Sequence, residues 1–245
     1  MIKKLKTLLV VFDNEIKPFE IPAFRGAIIK KVGLENTLFH NHREDGTVIY
    51  QYPVIQYKEI FGKPAIFCVD EGVDEIHKVF SQRDWSIEIS DRTLQLKIDK
   101  LDLKQITMQV WDRMFPYRIR NWVALNSENF QRFKTLKSEE EKKEILEPIL
   151  TANIISMAKG IEWNIDKKIL VKIQEMERER QVNLKGVRVS AFDVRFLSNV
   201  FLPNHIGLGK SVTFGYGSVK PYRENNFTNS NGEYSTDHLP GSPVA

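Results

Sequence analysis

The sequence predicts an α+β fold of two tandem ferredoxin-like units, RRM-like split βαβ sheets with helices on one face, closed by a C-terminal glycine-rich loop. Three observations predict it. Short apolar runs of strand character flank segments whose apolar residues recur every three or four positions, and this order occurs twice along the chain. Met114-Phe115-Pro116 separates two stretches of similar size, 1–115 and 116–222. Near the end, "HIGLGKSVTFGYGSVKPY" sets Gly207, Gly209, Gly215 and Gly217 around Lys210 and Ser211.

In the first unit, Lys6 to Phe12 is an apolar strand. Ile21 to Val32 reads as a helix: Ile21, Phe24, Ile28 and Val32 share one face, Pro22 suits the first turn and Gly33 the end. Thr47 to Tyr57 and Pro64 to Val69 are expected strands around a turn at Phe61-Gly62-Lys63. Val73, Ile76, Val79 and Phe80 give a second helical face, and strands follow at Trp85 to Ile89, Thr93 to Ile98 and Ile106 to Trp111. The order is β-α-β-β-α-β with an extra hairpin.

The second unit opens with a strand at Tyr117 to Leu125. Ser138 and Glu141 form a capping box ahead of Leu146, Ile149, Leu150 and Ile154, and Gly160 closes that helix. Strands are expected at Ile169 to Met176 and Val187 to Phe196, with a bulge near Ala191 where the apolar alternation shifts. The glycine loop, itself strand-like from Val212, and a last strand to Val219 complete the unit. Residues 223–245, rich in Asn, Ser, Gly and Pro, read as a disordered polar tail.

Composition bounds the function. With 245 residues and 42% hydrophobic content the chain can bury a real core. No run approaches the ~20 apolar residues of a membrane span, so a cytoplasmic protein with no membrane partner is expected. The single Cys68 excludes an internal disulfide, and five scattered histidines offer no structural zinc site, so neither metal nor cofactor is expected. The net charge of +4 divides unevenly: residues 221–245 hold one arginine against Glu224, Glu233 and Asp237, leaving +6 on the first 220. Together with a pI near 9.0 this suits a nucleic-acid partner.

"GKS" in the loop resembles the end of a phosphate-cradling P-loop, but Asn204 stands where its first glycine belongs and no helix pattern follows. Nucleotide hydrolysis is therefore set aside. The stretch with the strongest proton-transfer character is "LFHNHREDG", with His40 and His42 two residues apart beside Arg43 in a polar connection. His77 and His205 have no convincing partner in sequence, and Arg178 and Arg180 alternate with Glu177 and Glu179 as a solvated strand end.

"GLGKSVTFGYG" and "TLFHNHREDGTVIYQYPVIQYK" together resemble the CRISPR-associated endoribonucleases that process precursor guide RNA, the Cas six family, and the twin histidines resemble its b-type branch. The resemblance spans residues 5 to about 222. It implies metal-independent cleavage of CRISPR repeat RNA, in which the ribose 2′-hydroxyl attacks the adjacent phosphate to leave 2′,3′-cyclic phosphate and 5′-hydroxyl ends. It implies His40 as general base or acid with His42 as its partner, and a cation for the transition state, for which Lys58 ranks ahead of Lys31 and Arg25. It also implies RNA contacts from the glycine loop (Gly207, Gly209, Lys210, Ser211, Gly215 and Gly217) and from Lys185, Arg188 and Arg195 on or near the bulged hairpin. A non-cleaving guide-RNA-binding subunit is the alternative, with other CRISPR effector subunits or a second copy of the chain as compatible partners.

Overall fold

The computed structural model describes residues 1–41, 51–184 and 186–222; the expected strand start at Thr47, the second histidine His42, Lys185 and the tail from 223 lie outside them. Two antiparallel four-stranded sheets dominate. The first is built from β1 (Lys3–Phe12), β2 (Ile55–Ile60), β3 (Lys63–Val69) and β6 (Ile98–Met108), in the order β2-β3-β1-β6. Its centre, β1, is buried almost throughout, and α1 (Ile21–Val32) lays Ile21, Phe24, Ile28, Ile29 and Val32 against it. Phe24 meets Phe12 and Tyr57 edge-on, at 6.1 and 5.9 Å between ring centroids.

The expected second helix splits into α2 (Glu71–Glu75) and α3 (His77–Phe80). The extra hairpin is the separate pair β4 (Ser86–Ile89) and β5 (Arg92–Gln95). The strand expected at Ile106 to Trp111 instead straddles two elements, since β6 ends at Met108 and β7 (Val110–Trp122) starts the second sheet. The Met114-Phe115-Pro116 break survives as an irregularity within β7, whose register against β9 shifts between Val110 and Phe115.

The second sheet adds β8 (Val171–Leu184), β9 (Val187–Val200) and β10 (Ser218–Pro221), in the order β10-β7-β9-β8. Numbered within each unit, both sheets therefore run fourth-first-third-second, the split βαβ order. α5 (Glu139–Gly160) carries the expected capping box: Ser138 Oγ accepts from the Glu141 N–H and Glu141 Oε2 accepts from the Ser138 N–H, both at 3.1 Å. A further helix, α4 (Ser127–Thr135), was not anticipated; its start is signalled by Asn126, whose side chain accepts from the Asn129 N–H at 2.7 Å.

The bulge expected at Ala191 sits instead in the flanking strands. Pairing with β9 shifts between Ile119 and Trp122 on β7 and between Met176 and Arg178 on β8. Asp193 stands at both shifts, its buried carboxylate accepting from the Asn121 N–H at 2.7 Å and pairing with Arg180 at 3.3 Å, and a further shift on β8 falls between Ile173 and Glu175. Between β9 and β10, where the split βαβ pattern places a second helix, stands only a 3-10 turn, Val212–Phe214, inside the glycine loop. That turn replaces the expected strand because Ser211 and Gly215 on either side of it are left-handed.

Candidate functional site

The outer strands β2 and β10 belong to different sheets, and the glycine loop lies between them. Its backbone is approached closely, and by protein. Gln56 Oε1 on β2 accepts from the Gly207 N–H at 3.0 Å, and the Tyr52 hydroxyl donates to the Gly207 carbonyl at 2.8 Å. Gln56 Nε2 completes the triangle by donating to the Tyr52 oxygen at 2.9 Å. Gln56 is buried, so its amide satisfies a main-chain group that water could not reach.

A Cβ at Gly207 would stand 2.8 Å from Gln56 Oε1 and overlap Val212, and one at Gly217, whose φ is +64°, would overlap the Leu208 carbonyl oxygen. Gly209 and Gly215 are crowded likewise, by Trp122 and Ile21. Lys210 is tethered as well, its Nζ donating to the Leu125 carbonyl at 2.9 Å, and burial holds its ammonium below the usual lysine value. Within residues 207–217 Lys210 alone is exposed, and Ser211 beside it is half-buried.

His40 follows a 3-10 turn, Thr37–Phe39, in the connection after α1. Its ring is 6% exposed and Nε2 lies 2.8 Å from the Leu34 carbonyl. A carbonyl only accepts, so in the neutral ring Nε2 carries the proton and the lone pair is on Nδ1. Arg25 Nη2 on α1 donates to the His40 carbonyl at 2.8 Å, and its guanidinium carbon stands 5.0 Å from the Phe214 ring centroid in the glycine loop. Burial lowers the Arg25 pKa. The Tyr57 hydroxyl donates to the Phe39 carbonyl at 3.2 Å. Arg25 and Tyr57 thus hold the backbone around His40, and Phe214 of the second unit packs on that Arg25.

Lys58 is not brought to His40. Tyr57 points toward α1, and alternation along β2 sends Lys58 to the opposite face, with Gln56, toward the second unit. There it is 2% exposed, its Nζ has no hydrogen-bond partner among the described residues, and burial brings its pKa down to about 7. His205 shares this interior: burial, then the charges of Lys220 and Lys58, push it down to about 3, a neutral imidazole. Lys31 binds Asp84, through its carbonyl at 2.7 Å and its carboxylate at 3.5 Å. Of the candidate cations, Arg25 alone touches the histidine segment among the described residues.

The expected RNA-facing residues are dispersed. Arg195 lies within a row of paired positions on the second sheet, held by Glu177 at 2.7 Å and Glu175 at 2.8 Å and set over the Tyr222 ring. Arg188 is exposed on the part of the β8–β9 hairpin that continues beyond β7, where β9 pairs with β8 alone. Tyr52 and Gln56 escaped sequence reasoning. Their one signal was a polar Gln56 within the apolar run from Val54 to Tyr57.

Among the described residues no group of three His, Cys, Asp or Glu side chains is placed to hold a metal, and no helix is long and apolar enough to cross a membrane.

Comparison with known proteins agrees with this architecture. Residues 3–107 match the family model of the Cas6b N-terminal domain and residues 109–222 that of the Cas6b C-terminal domain. An uncharacterised protein of Methanocaldococcus jannaschii is 39% identical over 111 residues, which are 45% of this chain and 74% of that protein. A Cas6b crystal structure superposes with a TM-score of 0.80 at 25% identity, over 90% of this chain and all of the other. A structure described as the CRISPR RNA processing endoribonuclease Cas6b gives 0.67 at 23% identity, again over 90% of this chain and all of the other, a likeness of fold. With two family models covering nearly all of the described residues, the chain belongs to the Cas6b family.

Proposed function

We propose that this protein is an endoribonuclease that processes CRISPR RNA, cutting repeat RNA without a metal. The observation that carries this reading is the setting of His40: a histidine with its tautomer set by Leu34 and its backbone held by Arg25, in the unit that matches the Cas6b N-terminal domain. His40 Nδ1 takes the proton of the 2′-hydroxyl on the 5′ side of the scissile bond. The oxygen attacks the adjacent phosphorus, the bond from phosphorus to the 5′-oxygen breaks, and His42 returns a proton to that oxygen. The products are a 2′,3′-cyclic phosphate and a 5′-hydroxyl. Arg25 positions His40 and takes the place of Lys58 as the nearby cation. RNA is gripped by Lys210 and Ser211 on the loop, by Arg188 on the β8–β9 hairpin and by Lys185, while the glycines serve packing.

The burial of His40 favours a second reading, a guide-RNA-binding subunit that does not cut. Incubation of the host's CRISPR repeat RNA with the protein in excess EDTA, beside His40→Ala, His42→Ala and a substrate with a 2′-deoxy sugar at the cut, separates the two. The nuclease reading expects cleavage by the parent alone, blocked by the deoxy sugar and ending in a cyclic phosphate. Tight binding of an uncut RNA, or cleavage abolished by EDTA, overturns it.

A further inference from the structure

The turn between β2 and β3 has a residue that folding does not call for. Ile60 pairs with Lys63, leaving Phe61 and Gly62 as a two-residue loop with φ of +53° and +79°. Positive φ at both positions is the mark of a type I′ turn, whose first position favours Asn, Asp or Gly. Eight non-glycine residues among the described ones have positive φ; seven are Asn, Asp, Ser, His or Glu, and Phe61 is the apolar exception. A phenylalanine there is strained, and its ring is not buried in return: it is 91% exposed.

The turn beneath the ring is rigid. Glu59 accepts from the Gly62 N–H, and the Gly62 carbonyl accepts from the Ile16 N–H at 2.8 Å. Across the junction of the two units, Lys220 Nζ on β10 stands 5.1 Å from the Phe61 ring centroid. Lys220 lies directly opposite Arg118 on β7 and diagonal to Arg120, which pairs with Ser218 two positions along. Glu177 neutralises Arg118, but neither Lys220 nor Arg120 forms an ion pair among the described residues. The like charge felt most by Lys220 is that of Arg120, and like charges on one face of neighbouring strands repel until an anion joins them. Phe61 also lines a groove with Lys17, Lys63 and Arg92, whose acidic members Glu15 and Glu20 leave it of mixed charge. On the β10 side Glu59 also acts on Lys220, and the cations there without an ion pair among the described residues are Lys220 and Arg120.

We propose that Phe61 is a stacking platform for an unpaired base of the bound RNA, with Lys220 and Arg120 taking the adjoining phosphates. The flat ring offers a face to any base, and the paired cations supply the sequence-independent grip that single-strand binding needs. This rests on the RNA-processing reading and adds a subsite away from His40, on a surface to which that reading assigns no part.

The test uses a variant that should improve the turn. Phe61→Asn supplies the residue the turn prefers, so its thermal midpoint should equal or exceed the parent's, while affinity for the host's repeat RNA falls ~5- to 100-fold. Phe61→Trp should keep parental affinity, and Lys220→Gln should weaken binding and reduce the salt slope by about one. Repeat RNA with 2-aminopurine at successive positions should show one unpaired position quenched by the parent and not by Phe61→Asn. Parental affinity in Phe61→Asn, or the same quenching profile in both, sinks the stacking site while leaving the nuclease reading intact. Failure of the parent to bind repeat RNA at all sinks both, and capture of a protein partner by Phe61 with unchanged RNA affinity assigns the surface to that partner instead.

Discussion

The two units have the same strand order and close it differently. In the first, the return from β3 to β6 runs through α2, α3 and the β4–β5 hairpin, which bury Ile76, Val79, Ile87 and Ile89 and pack on α1, β1 and β3 of the same unit. In the second, the return from β9 to β10 is the glycine loop, and much of what it touches belongs to the first unit: Tyr52, Gln56, Ile21 and Arg25. A crossover that packs on its own sheet makes a unit self-sufficient, whereas one that packs on a neighbour makes the pair a single object. It also places loop residue Phe214 against the arginine that holds His40. Loop position and histidine position are coupled by contact.

The most severe way to break this comparison is Gly217→Ala. The new Cβ would overlap a main-chain oxygen at a φ of +64°, and backbone cannot step aside as a side chain can. We expect a loss of about 4 kcal/mol or more in unfolding stability by denaturant titration, with cleavage lost alongside. Gly62→Ala, which has positive φ but open space around it, should cost far less.

Next comes His40→Ala, which should leave the thermal midpoint within a few degrees of the parent while slowing repeat-RNA cleavage 10²- to 10⁴-fold in single-turnover assays. An equal loss of fold and activity would make His40 a packing residue.

Gln56→Leu tests the junction itself. It strands the buried Gly207 N–H, at a cost of about 1–3 kcal/mol, and should begin to separate the unfolding of the two units into distinguishable steps in calorimetry. A single sharp transition of parental stability would show that the loop needs no such tie.

The smallest effect has the opposite sign. Lys58 has a folded pKa of about 7 against ~10.4 when unfolded, so between these values the unfolded chain binds a proton that the folded chain does not. Stability should rise with pH through that window. Lys58→Met should therefore stabilise by about 1–2 kcal/mol at pH 7, with the advantage fading toward pH 10 in pH-dependent melts. A destabilised variant would show that the ammonium finds a partner that the described residues do not supply.

Much of the chain could be read locally. Strand alternation, the apolar face of α1, the capping box at Ser138 and the punctuating glycines follow from side-chain spacing along a few residues, and the folded chain keeps them. The misplaced bulge shows the limit, because a buried Asp193 looks like an ordinary interruption in the alternation of β9 until Asn121 and Arg180 are seen against it. Lys58 shows it again: its neighbourhood in sequence links it to the histidines, but strand alternation turned it to the other side of β2. The glycines illustrate both halves of the matter. That something must approach Gly207 closely was legible, since glycine is the residue that leaves room. That the visitor is Gln56, 151 residues away, is decided by how two sheet edges meet, and no local pattern records a contact between segments so far apart.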